Sequence, residues 1–460
     1  MKNKKIISIS ALFFIIASIF LLSGCLKGGN TINYEMNLEV WGFIDDSDAF
    51  KEINKNYKTL SPQIKQLQYK KVSSNVEEFE KELINAIASG KGPDIIFFHS
   101  SWLLDHTDKV APHPQSAQYL NQFNKKFIDV ASTDFINNDE IYAMPLYSDT
   151  LALFYNKDIF NQEAFTKAPE TWEEVVEYTR KITKLDQNGN FSRSAIALGR
   201  SNAPGSINRA SDIINLLFMQ NEIKILNEEG TRTEFDRVVL SSSLLDFYTK
   251  FAKNSPFYTW NSKMENSIDS FRFGKTAMMI NYSYMANRLR ETDPKFNFEI
   301  APVPQVDLEN KVNYANYWGL AVVKNKALVP ETPNQIINYT NKDRIKESWK
   351  YIKYVTMGTI TNKEGQEVSP TPDPTKSYLE LTKKPTARKD LIEEQKNDPE
   401  LGIFAVQALT AKSWQGPSDA VTEPIFNEMI DNVVSGKLIA RDAIKTAASR
   451  INIILRDLKK

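Results

Sequence analysis

In "PLYSDTLALFYNKDIF", Pro145 to Phe160, an aspartate stands just ahead of an apolar run, Leu151 to Phe154, that reads as a buried strand. The mouth of such a strand is costly ground for a carboxylate unless something meets its charge. Ionised Asp149 is an acceptor with about four lone-pair sites, so it can take two adjacent hydroxyls in bidentate fashion through charge-assisted bonds. The other duty open to it is internal, as a helix cap or as the partner of a backbone amide. Aromatic rings are the complementary resource, because a ring offers a broad apolar face with few rotors to freeze. Rings at strand ends or in loops are Trp41, Trp102, Tyr147, Tyr284, Trp318 and Trp414. Ser100 and Ser101 stand beside Trp102, and Asp45 is a further polar candidate after the first strand. Each ring is equally well explained by core packing, and Trp172 and Trp349, inside helix patterns, read as core.

What must position these residues is an alternation of strand and helix. "NLEVWGF" places Leu38 and Val40 on one face, and a helix follows with Phe50, Ile53 and Tyr57 at helical spacing. "IKQLQYKKV" is a second strand. "SNVEEFEKELINAIASG" is a helix with Ser74 and Glu77 as a capping box, a Phe79, Leu83, Ile87 stripe and a stop at Gly90. "PDIIFF" is a third, wholly apolar strand, so the order implies a parallel sheet covered on both faces. Past Tyr155 the grammar resumes: Thr171 and Glu174 cap a helix, "AIALG" (195–199), "TAMMI" (276–280), "FNFEIAPVP" and "YWGLAVV" (317–323) are strands, and the last helix runs from about Val421 to Leu458. The residues from Lys324 to Asp343 read as a surface loop. In parallel sheets ligands sit beyond the carboxyl ends of the strands, which is where the candidate rings fall.

A chain of 460 residues has room for two domains. Lys plus Arg equals Asp plus Glu at 57 each, so there is no basic field to draw in nucleic acid. The N-terminus is a segment apart. Lys2, Lys4 and Lys5 precede an apolar run from Ile6 to Leu22, and small residues lead to Cys25, which makes residues 1–24 an export signal. "LSGC" resembles the lipobox of bacterial lipoproteins, in which the cysteine is acylated, with palmitate among the expected acyl groups, and becomes the new N-terminus. Cys25 is the only cysteine, so the mature chain forms no internal disulfide. Residues 25–35 are then a tether made flexible by Gly28 and Gly29.

Five segments, "GKGPDIIFFHSSW" (90–102), "YAMPLYSDTLALFYNKDIF" (142–160), "TWEEV" (171–175), "FRFGKTAMMINYSY" (271–284) and the terminal helix, resemble in order and spacing the extracellular solute-binding proteins of bacteria, in the cluster that includes maltose-binding protein. The resemblance implies an α/β, two-lobed periplasmic-binding-protein-like fold of type II. Each lobe would be a mainly parallel sheet flanked by helices, with the chain crossing a hinge between them. It implies lobe one at 35–148 and 302–378 and lobe two at 149–301 and 379–460. It also implies a ligand held in the cleft, with Asp149 at a crossing where a carboxylate meets sugar and Tyr284 where a ring stacks on it. Pyranose C–H faces suit the rings and its hydroxyls suit the carboxylate. The loop "NAPGSINR" (202–209) borders the site without singling out a residue.

The expected protein is a monomeric, lipid-anchored receptor on the outer face of the cell membrane. It hands a sugar or oligosaccharide to the transmembrane subunits of an ABC permease, with no cofactor and no metal. The alternatives are the same role for a peptide, a polyamine or glycerol phosphate, or a surface scavenging or adhesion lipoprotein without a transporter. A basic pair at the cleft would favour the phosphate cargo, and the sequence places none there. His99, His106 and His113 are seven residues apart, too far along a helix to share an ion, and "DQNGNF" (186–191) departs from a calcium loop and reads as an Asn-Gly turn. No HExxH, GxSxG or P-loop is present, and nothing marks a pair of catalytic carboxylates.

Overall fold

A computed structural model describes residues 34–201, 206–329, 337–362 and 365–458. The export signal, Cys25, nearly all of the tether and residues 202–205 lie outside them. Among the described residues no helix is long and apolar enough to cross a membrane.

Two hydrophobic cores, not one, organise the chain. The first gathers side chains from Met36 to Tyr147, from Ala315 to Met357 and from Tyr378 to Ala411. The second gathers Leu151 to Tyr314 with Phe404 and Ile425 to Leu455. The expected boundaries at 302 and 378 therefore fall short of the packing. Val303, Val312 and Tyr314 are buried with the second core, while Leu379, Ala387 and Ile392 are buried with the first.

Each core wraps one sheet. In the first, strands Ile64–Lys71, Met36–Gly42 and Ile95–His99 run parallel, and Trp318–Val323 runs against Ile95–His99, Val110–Ala111 and Ala143–Pro145. The second is ordered Phe298–Pro302, Ala152–Asn156, Thr276–Asn281, Phe191–Ile196, Lys184–Leu185, and its one parallel pair is Phe191–Ile196 with Thr276–Asn281. Both sheets are thus mixed rather than mainly parallel. The reason is topological: Ala152–Asn156 and Trp318–Val323 are entered from the other lobe, at the end where their neighbours finish, and so must run against them.

Local signals act mostly where the sequence places them. Thr171 and Glu174 form the capping box of helix Trp172–Ile182. The helix Val76–Ala88 is capped one residue later than expected, by Asn75, whose side chain accepts from the Glu78 amide, with Ser73 Oγ donating to the same glutamate. The long terminal helix is two, Asp419–Val434 and Ala440–Asp457, parted where Gly436 takes φ +76°. That left-handed geometry suits glycine and ends a helix.

Three adjacent crossings join the lobes. Thr150 bridges Ala315, and the Asn316 amide donates to Asp149 O at 3.2 Å. Asn313–Tyr314 pairs in parallel with Ala411–Lys412, and the Ala315 amide donates to Lys412 O at 3.1 Å. Asn313 Nδ2 and Gln407 Nε2 both donate to Leu151 O, at 2.8 and 3.2 Å. A hinge of short paired strands keeps its backbone groups satisfied while few side chains resist rotation.

Candidate functional site

The carboxyl ends of the first lobe's parallel strands and the C-terminal end of Thr276–Asn281 in the second face the same crossing. Asp149 lies on it, 5 % exposed. Its Oδ1 accepts from the Thr150 amide at 2.9 Å and the Ser283 amide at 3.0 Å, and its Oδ2 accepts from Ser283 Oγ at 2.7 Å. Ser283 precedes helix Tyr284–Thr292, so the carboxylate ties the first crossing to the start of that helix. Of about four acceptor sites on a carboxylate, three are taken, leaving Oδ2 room for one hydroxyl and not a bidentate pair. Burial pushes the Asp149 carboxyl up to about 7, against the pull of the Ser283 and Thr150 hydrogen bonds and the Arg209 charge.

Tyr284 is the ring most open to solvent among the six aromatic candidates, at 40 % exposure. It heads the helix that Asp149 holds, and its hydroxyl accepts from Arg209 Nη2 at 3.2 Å. Tyr147 reaches the same place from the first lobe, with Lys384 Nζ 4.7 Å from its ring centre. Lys384 is ion-paired with Asp45, which also accepts from Tyr378 Oη at 2.6 Å. The charges of Asp149 and Asp45 both raise the Tyr147 hydroxyl, after burial, so the four groups share one neighbourhood.

Of the two serines, Ser101 serves the lobe junction and Ser100 bonds within the first lobe. Ser100 exchanges bonds with Tyr317, its amide donating to Tyr317 O at 3.0 Å and its hydroxyl accepting from the Tyr317 amide at 3.4 Å. Ser101 Oγ accepts from the Asp419 amide at 3.2 Å and lies 2.8 Å from His99 Nδ1. Asn316 Nδ2 donates to Asp419 at 2.9 Å, so Asn316 Oδ1 is left to accept from His99 Nε2 at 2.9 Å. Burial holds His99 below its ordinary value, in keeping with a neutral ring that donates from Nε2 and accepts at Nδ1. With the Ser418 amide donating to Asp105 at 2.8 Å, this ring of bonds seats the start of helix Asp419–Val434 on the first lobe.

Other candidates are not brought to Asp149 and Tyr284. Trp102 is 2 % exposed and packs on Phe79, Phe98, His106 and Trp318. Trp318 is buried against Phe43, His99 and Trp102. Trp41 is buried on the first sheet under Lys70, its indole N–H without a partner among the described residues. Trp414 lies just past the third crossing and lines, with Lys412, a groove of about 1140 Å³ between Leu104, Thr133 and Ile136 of the first lobe and Ile223 and Leu226 of the second, a lining that includes neither Asp149 nor Tyr284. Trp172 and Trp349 are core side chains. Among the described residues no group of His, Cys, Asp and Glu is placed to hold a metal ion. His106 meets Glu80 at 2.9 Å, and His113 packs on Tyr119 and Trp349, where burial lowers it to about 4.

The sequence missed the charged groups that complete the crossing. Arg209, in the bordering loop, lies over Tyr282 and Tyr284 at 5.2 and 5.7 Å and faces Asp212 at 3.9 Å. Burial raises Asp212 to about 7, against the Arg209 charge. Burial also raises Glu423, with Asp419 adding to it. Contrary to expectation, then, two cations, Arg209 and Lys384, stand at the cleft, each already facing an acid. The signal for Arg209 was its loop; Lys384 and Glu423 had none, Lys384 being brought in by its packing on Asp45 and Tyr378 within the first lobe and Glu423 by the chain beyond the third crossing.

The profile of the family "Bacterial extracellular solute-binding protein" matches residues 71–356, more than half of the chain. The chain belongs to that family. It is 23 % identical over 402 residues to the multiple sugar-binding protein of Streptococcus mutans, spanning 82 % of each chain. Among solved structures it is similar to the sugar-binding protein MalE of Xanthomonas citri, with TM-score 0.69, 18 % identity and 92 % and 98 % of the two chains covered. It is also similar to UgpB of Mycobacterium tuberculosis in complex with glycerophosphocholine, with TM-score 0.68, 14 % identity and 93 % and 100 % covered. At these identities the two structures speak for the two-lobed fold alone.

Proposed function

We propose that this chain is a non-catalytic, lipid-anchored receptor that captures a sugar or oligosaccharide between its lobes and presents it to an ABC permease. The observation that carries the reading is the pairing, at one crossing, of a nearly saturated carboxylate with one acceptor site left, Asp149, and an exposed ring, Tyr284, on the helix it holds. That combination suits a molecule with an apolar face and hydroxyl edges. The multiple sugar-binding relative supports the same cargo class. Lipid attachment rests on Cys25 and its preceding small residues. A glycerophosphodiester is the second reading, favoured by Arg209 and Lys384 at the cleft.

Calorimetric titration of the lipid-free protein separates the two. The panel is maltotriose, maltotetraose, raffinose, glycerophosphocholine and spermidine. A neutral oligosaccharide is expected to bind near micromolar, about −8 kcal/mol. Binding of glycerophosphocholine with no response to any carbohydrate would replace the first reading with the second.

A further inference from the structure

Arg209 is unusual in three ways. Its backbone takes φ +71° at the start of helix Ala210–Gln220, a left-handed conformation that a side-chain-bearing residue adopts only when its surroundings hold it there. Its guanidinium lies over two tyrosine rings, which fixes its plane. Its hydrogen-bonding capacity is nearly unused. Among the described residues Nη2 donates to Tyr284, Nη1 meets Asp212 only at 3.9 Å, and the buried Nε has no partner. Asp212 has other partners, Tyr282 Oη at 2.9 Å and Ser211 Oγ at 3.3 Å. The Arg209 charge is felt by Tyr147 and His99 of the first lobe and by Asp149 on the hinge, so the fork stands between the lobes.

A planar fork with free donors is the usual receptor for a carboxylate or phosphate. The charges around this one argue otherwise. Asp212, Asp149 and Glu423 already draw on the single positive charge, Asp419 stands next to Glu423, and the other cation, Lys384, belongs to Asp45. An anionic cargo would bring one more negative charge into a buried site where acids outnumber bases, so that it either meets like charge or forces Asp149 and Asp212 to stay protonated, and both cost free energy. We infer that Arg209 determines specificity in the cleft as a hydrogen-bond fork for the hydroxyl and ring oxygens of an uncharged cargo, while the surrounding carboxylates reject anionic ones. This rests on the carbohydrate reading and narrows it to neutral glycans, against uronates, sugar phosphates and glycerophosphodiesters.

Two experiments test it, the first needing no identified cargo. Sulfate is a small oxyanion that an anion-receiving arginine would take. Sulfate at tens of millimolar is expected to shift the melting temperature of wild type and Arg209→Gln equally, and extra stabilisation of wild type alone would overturn the inference. The second titrates wild type, Arg209→Lys and Arg209→Gln with maltotriose, raffinose, trigalacturonate and glycerol 3-phosphate. Wild type is expected to prefer a neutral member by at least about a hundredfold. Arg209→Lys, which keeps the charge and loses the fork, is expected to weaken that binding by about tenfold or more with an unchanged melting temperature. Full affinity in Arg209→Lys, or tighter binding of either anion, contradicts the assignment. No binding by any neutral member, with the sulfate result as expected, faults the carbohydrate reading and not the charge argument.

Discussion

Asp149→Ala is expected to weaken binding of the carbohydrate that wild type takes by about 1.5–3 kcal/mol, the scale for a hydrogen bond to a charged group. Two losses add. The free acceptor site on Oδ2 disappears, and so do the three bonds that hold the Thr150 and Ser283 amides and the Ser283 hydroxyl. With Ser283 released, helix Tyr284–Thr292 loses the group that fixes its first residue, so Tyr284 also becomes less well placed. The variant relieves the desolvation cost of a buried carboxyl but leaves the buried Thr150 and Ser283 amides without their acceptor, so some stability is lost as well and affinity is compared where the variant is fully folded. Calorimetry with a melting curve on each protein reads both quantities. Wild-type affinity in Asp149→Ala would reduce the carboxylate to an internal brace.

The second large effect is on stability against pH. Burial raises Asp134, Asp149 and Asp212 each to about 7. The groups facing them are Ser413, Tyr317 and Asp419 at Asp134, Ser283, Thr150 and Arg209 at Asp149, and Arg209, Tyr282, Asp419 and Glu423 at Asp212. An acid whose folded value lies above its unfolded one binds more protons folded than unfolded between the two, so stability falls as pH rises through that interval. The loss runs from about pH 4 to about pH 7 and is of the order of a few kcal/mol for each group. Paired surface acids act in the opposite sense: Glu299 is held low by Lys157 and Tyr155, and Arg388 and Lys126 hold Asp390 at about 2, so their contribution is lost only on further acidification. Urea titrations from pH 4 to 8 are expected to show stability declining from about pH 4.5 towards pH 7.5, shallower in Asp134→Asn, with buried His113, held at about 4, offsetting part of the decline below about pH 6.5. A curve that rises from pH 5 to 7.5 would contradict the buried-acid geometry.

Much of this molecule was legible in its sequence because its signals are local. Period-two and period-3.6 patterns mark the strands and helices, and Thr171 with Glu174 marks a cap. The strand directions were not legible, since Ala152–Asn156 and Trp318–Val323 run against their neighbours only because the chain enters them from the other lobe. The site divides in the same way. Asp149 stood out as an acid before an apolar run, and Tyr284 by its place after a strand. Trp102 and Trp318 shared that placement, yet the structure packs them against each other, because a strand end decides where a residue lies and not which side of the sheet its ring covers. Lys384, Asp419 and Glu423 are remote from Asp149 in sequence; Lys384 comes near by its packing within the first lobe, and Asp419 and Glu423 by the chain beyond the third crossing.

The most direct test of the account is whether bound cargo shuts the two lobes. Cys25 is the only cysteine, so a Cys25→Ser chain with cysteines at the exposed positions Lys51 and Lys250 takes one dye on each lobe. Cargo that contacts both lobes favours the closed state by its differential affinity, so saturating oligosaccharide is expected to shift the single-molecule energy-transfer distribution to one narrower population of changed distance. At a concentration a few times the wild-type Kd, the shift should be much smaller in Asp149→Ala. An unchanged distribution in wild-type protein with calorimetrically proven bound sugar would contradict a receptor that works by closing on its solute.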